Sequence, residues 1–162
     1  MNFYISYFYQ IRNFKPHMIP ISTAVSDPKW YHKAGDQNST FKDNNGVLNG
    51  LRCYPLAPGR ECSNLCKGAK NCKDVNPSTC QFLSKYGEQL NRLNFTEFMY
   101  NLEEHLRTVA DYMNIQYCEL IPVFIVYETP DNPCSERVEL VKWFADNGVS
   151  LSELEYPIKN FD

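Results

Sequence analysis

The chain has 162 residues, 43% hydrophobic and 22% charged, which is enough for one domain with a sizeable core. No apolar run reaches the length of a membrane span, and the aromatic stretch 1–14 lacks the basic start and small-residue cleavage site of a signal peptide; a cytoplasmic protein with no membrane partner is expected. Residues 1–59 carry six basic and three acidic side chains, residues 60–80 four and two, and residues 81–162 six and fourteen, so the C-terminal half argues against a broad nucleic-acid footprint.

Residues 2–9 are aromatic and β-favouring and predict a first strand; residues 18–25 predict a second, closed by Asp27-Pro28. Residues 33–50, rich in Asn, Asp and Gly, predict a mobile surface loop, and residues 51–56 a short strand ended by Pro55, Pro58 and Gly59. A helix is expected from Phe82 to Leu93. Asn94, with Glu97 three residues on, predicts the cap of a second helix with Phe95, Phe98, Leu102, Leu106 and Val109 on one face. The run 120–127 is apolar without alternation, as a strand covered on both faces requires. A last helix is expected from about Ser135 to Asp146, stopped by Asn147-Gly148, and 149–158 reads as a closing edge segment. This order predicts a single α/β domain over 1–162: a small three-layer, mostly parallel, Rossmann-like sheet with helices on both faces, and a cysteine-rich insertion at 53–80.

Seven cysteines without a secretion signal favour metal binding over disulfides. Cys62, Cys66, Cys72 and Cys80 fall within nineteen residues, in a Gly- and Asn-rich segment too polar to order itself by burial. Four thiolates close a tetrahedral zinc shell and leave no open position, so the expected metal is structural zinc. The spacing also admits an iron–sulfur cluster or no metal, and Cys53 is near enough to replace one ligand. Arg60, Lys67, Lys70 and Lys73 stand beside the thiols to offset their charge. Cys118, opening the apolar strand, reads as a core thiol.

The segment from Tyr127 to Arg137 follows the most apolar strand and opens the last helix, where an α/β sheet places its ligand. A helix N-terminus offers free N–H groups to an anion and lowers the pKa of a nearby thiol. Cys134 is therefore the candidate nucleophile, Glu128 the candidate acid or base, and Arg137 the candidate anion ligand. The bland reading competes: Asn132 or Ser135 caps the helix, and Arg137 pairs with Glu128. Of the histidines, His105 reads as a surface residue, while His32, after Trp30 and Tyr31, stands near enough in sequence to approach the pocket.

Four pieces of the chain resemble the domain-of-unknown-function 488 family of small bacterial and phage proteins. They are the opening strand Phe3-Tyr4-Ile5-Ser6-Tyr7-Phe8; Ile19-Pro20-Ile21-Ser22 with Pro28-Lys29-Trp30-Tyr31; Leu56-Ala57-Pro58; and Tyr127-Glu128 followed by Cys134 and Arg137. Where the family reads Cys-His-Arg, this chain reads Cys134-Ser135-Glu136-Arg137, so the histidine has no counterpart. The resemblance implies that Ser6, Tyr7, Ser22, Glu128, Cys134 and Arg137 gather at one strand-end pocket, with Trp30 or Tyr31 as a stacking face, and that a phage-encoded copy acts in the host cytoplasm; Ser135, at the helix start, is a further ligand-binding candidate. Two functions are expected from different classes. One is a protein that binds a phosphate-bearing small molecule or nucleic-acid end, with hydrolase-type or nucleic-acid-processing chemistry. The other is a non-catalytic module for a protein partner, braced by zinc.

Overall fold

The apolar β-branched runs form a four-stranded sheet in a computed structural model that describes residues 1–34, 36–66 and 76–158. The strands are β1 (Phe3–Tyr7), β2 (Met18–Ser22), β5 (Ile121–Val126) and β6 (Leu151–Glu153), in the order β2-β5-β1-β6 and all parallel. The register sets Ile5 beside Phe124 and Glu153, and Ser6 and Ser22 beside Ile125. A second, two-stranded antiparallel piece joins β3 (Phe41–Lys42) to β4 (Leu48–Asn49). The helices are α1 (Arg60–Ser63), α2 (Gln81–Asn91), α3 (Phe95–Met113) and α4 (Glu136–Asp146).

Strand alternation divides the core in two. Phe3, Ile5, Ile19, Ile21, Phe124 and Val126 pack against the apolar stripes of α2, α3 and α4. Val123, Ile125 and Met18 point the other way, onto Phe8 and Ile11 of the 3₁₀ run Phe8–Asn13, onto Phe14 just after it, and onto Tyr31 and Val47. The α/β expectation with a mostly parallel, helix-flanked sheet therefore holds. The second face is covered by 3₁₀ turns and the β3–β4 hairpin. Every β5 residue except Ile121 is buried, as its unbroken apolar run requires. Asn94 caps α3 by accepting from Glu97 N at 3.0 Å, and Ser135 caps α4 by accepting from Arg137 N at 3.2 Å.

Two adjacent strands send their chains in opposite directions. From β1 the chain crosses the 3₁₀ face to β2; from β5 it crosses the α-helical face, through α4, to β6. The crevice between the carboxyl ends of β1 and β5 is thus a topological switch point, the usual ligand position in open parallel sheets.

The structure corrects several expectations. Residues 51–56 form no strand: Arg52 makes one isolated bridge to Ser22, and Tyr54–Leu56 is a 3₁₀ turn. The loop 33–50 holds β3 and β4 and buries Val47, Leu48 and Asn49, because its apolar pair sits between polar turns. Cys118 is exposed in the 3₁₀ turn Tyr117–Glu119 that precedes β5. Among the described residues no helix is long and apolar enough to cross a membrane.

Candidate functional site

Arg137 lies in the first turn of α4 and is 6% exposed, because its position falls on the same helical stripe as Leu140 and Phe144. Its Nη1 donates to the Glu128 carbonyl at 2.8 Å, and its Nε pairs with the Glu153 carboxylate at the end of β6. The guanidinium stands 6.0 Å from the centre of the Tyr7 ring. Its Nη2 is buried with no hydrogen-bond partner. A buried guanidinium N–H without an acceptor is costly, and structures keep such groups chiefly where a ligand or water completes them.

The surrounding groups are carboxylic. Glu128 Oε2 accepts from the Ser135 hydroxyl at 3.2 Å, which ties the loop after β5 to the cap of α4. Burial, reinforced by the Glu128 charge, pushes the Glu136 carboxyl up to about 8 against the opposing pull of Arg137. Glu136 therefore holds its proton at neutral pH and can donate a hydrogen bond. Burial also raises the Glu153 carboxyl, while Arg137 lowers it. Cys134 is buried two residues ahead of the helix, where its N–H donates to Asn132 Oδ1 at 2.9 Å. Glu136 and Glu153 were not singled out from sequence, although Glu136 shares the buried stripe with Leu140 and Trp143.

The six residues expected in one pocket, and the ligand-binding candidate Ser135, divide between two faces. Tyr7, Glu128, Ser135 and Arg137 are brought together, with Cys134 beside them in the chain. Ser6 and Ser22 flank Ile125 on the 3₁₀ face instead, since the side chains of β1 and β2 alternate. Ser6 bonds the Tyr156 hydroxyl, whose pKa burial pushes up to about 12. Ser22 donates to Asp27, which also holds His32 Nε2 at 2.6 Å and Arg52 Nε at 3.4 Å. His32 is buried and turns its other ring nitrogen to the Ser39 carbonyl at 3.0 Å. It is thus enclosed in a polar cluster of its own, away from Arg137. Tyr31 is buried, its hydroxyl donating to the Pro20 and Leu51 carbonyls; Trp30 is exposed.

The metal-ligand expectation falls partly on Cys72, which lies outside the described residues. Cys62 is buried and donates from Sγ to Gln89 Oε1 at 3.4 Å; Cys66 is exposed and Cys80 half-buried. Among the described residues no group of three or more His, Cys, Asp or Glu side chains stands ready to hold a metal ion. Burial raises the Cys62 thiol and pushes the Cys53 thiol up to about 12.

Cavities open on the described surface in at least two places. One, of about 660 Å³, lies beside Phe8, Trp30, Asn49 and Tyr127 at the carboxyl end of the sheet. The larger, about 790 Å³, is an apolar groove between α3 and Leu51–Pro55 that includes none of Glu128, Ser135 and Arg137. No family model, curated protein or solved structure matches the chain.

Proposed function

We propose that the chain is a metal-binding α/β protein that takes a phosphate-bearing ligand, a nucleotide or nucleic-acid end, at the loop 127–137. One observation carries this reading: the buried, unpartnered Nη2 of Arg137 in the first turn of the 11-residue helix α4, beside the switch point of the sheet. A phosphate oxygen is the acceptor that Nη2 lacks, and the helix dipole favours the anion. In the catalytic form of this reading Cys134 is the candidate nucleophile and Glu128 the candidate general acid or base.

The test is calorimetric titration of the protein with adenosine monophosphate and with inorganic phosphate. Arg137→Gln should weaken both at least about tenfold, as loss of one charged hydrogen bond implies. Ser135→Ala, which loosens the cap and frees Glu128, should weaken them less. Equal affinity in wild type and Arg137→Gln contradicts the reading.

Structural zinc held by Cys62, Cys66, Cys72 and Cys80 belongs to the same proposal, with an iron–sulfur cluster as its alternative. Four thiols within nineteen residues support it. Bound zinc would displace the Cys62 proton now given to Gln89 and brace the segment between α1 and α2. Elemental analysis of protein purified under reducing conditions should find one zinc per chain, and a chelator should lower the melting temperature. Iron with visible absorbance selects the alternative; protein without metal contradicts both.

A further inference from the structure

We propose that the cavity beside Phe8, Trp30, Asn49 and Tyr127 is a binding site for an amino-bearing purine base. Its walls come from three carboxyl ends of the parallel sheet: Phe8 follows β1, Trp30 follows β2 and Tyr127 follows β5. That places it at the switch crevice. Phe8 is buried and forms the floor, with Tyr127 and Trp30 at centroid distances of 4.7 and 6.2 Å. Those two outer rings are 49% and 52% exposed, so each keeps an open surface for a flat ligand to stack on. A volume of about 660 Å³ is ample for a bicyclic base.

The polar lining decides which base. Asn49 is 2% exposed, and its Nδ2 donates to Asp43 Oδ2 at 3.0 Å. Its Oδ1 is left buried with no hydrogen-bond partner. Asp43 is itself fixed by the N–H groups of Asn45 and Val47, at 2.8 and 3.0 Å. The unmet need is therefore for a donor. The exocyclic amino group of adenine or guanine supplies one; a purine without it leaves Oδ1 unsatisfied. The cavity and Asn49 carry this inference without any contribution from Arg137, and they deepen the nucleotide reading by naming the base.

The experiment uses nucleosides, which have no phosphate. Adenosine should quench tryptophan fluorescence saturably; the chain has two tryptophans, and Trp143 is in the core, so the signal reports Trp30. Purine riboside should bind about fivefold to tenfold more weakly than adenosine. By calorimetry Tyr127→Ala, at an exposed ring, should weaken adenosine about tenfold. Lys142→Ala, at an exposed surface residue of α4 outside both sites, should leave adenosine affinity unchanged. A short oligoadenylate that competes with adenosine assigns the site to a strand end, and one that does not assigns it to a free nucleotide; both keep the base site. Equal binding of adenosine and purine riboside, or no saturable quench by adenosine at millimolar concentration, overturns the inference. Phosphate binding that depends on Arg137 without nucleoside binding overturns only the base site; nucleoside binding without phosphate binding overturns only the phosphate site.

Discussion

Glu136 and Arg137 are neighbours in the chain and opposites in charge, and both are buried at the start of α4. Arg137 finds Glu128 and Glu153, whereas the Glu136 carboxyl is raised from 4.5 to about 8, mainly by desolvation. The folded state therefore binds a proton more tightly than the unfolded chain. The stabilisation is fully present below about pH 4.5 and is lost as pH rises through about 8. Glu136→Gln should flatten the stability–pH profile between these limits and make the protein more stable than wild type above pH 8, measured by urea unfolding across pH. A variant whose profile still falls like the wild type would show that Glu136 ionises freely. This pair was partly legible: the spacing of positions 136, 140, 143 and 144 places a glutamate on an apolar stripe. The Asp27–His32–Ser22 cluster was not, because loop residues five apart have no periodicity that brings them together.

At the scale of elements, local chemistry was the best guide. Asn94 was expected as a cap and is one, satisfying the Glu97 N–H that opens α3. Asn94→Ala should cost about 1 kcal/mol, read as a shift of the urea midpoint with unchanged slope. Composition misled over the loop 33–50, where polar turns flank the buried pair Val47-Leu48. Gly50 closes that hairpin at φ +103°, and an added Cβ would stand 2.2 Å from the Ser39 carbonyl oxygen. Gly50→Ala should therefore destabilise by more than the roughly 1 kcal/mol typical of a strained φ alone, seen as a lower melting temperature. Because Gly50 follows Asn49, the same variant should also weaken any ligand of the neighbouring cavity. Cys118 was misplaced for a simpler reason: the apolar run starts at Leu120, and the two residues before it belong to a turn.

At the scale of the molecule, the class of fold followed from alternating elements, but the strand order did not. Ile5 pairs with Phe124 across more than a hundred residues, and no local pattern specifies which strands become neighbours. That order sets the ends of β1 and β5 side by side, with their connections leaving on opposite faces of the sheet. Sequence reasoning gathered on one pocket residues that the structure divides between two faces of the sheet. Arg137 and Glu128 lie with α4 on one side, and the aromatic cavity with Asn49 lies on the other. Tyr127 and Glu128, adjacent residues, join them, so a nucleotide spanning the crevice would meet both.

The most direct measurement is a crystal structure of the protein soaked with adenosine monophosphate. The account predicts a phosphate oxygen about 3 Å from Arg137 Nη2, in hydrogen-bond range. A phosphate bound elsewhere, or none bound at a saturating concentration, would contradict it.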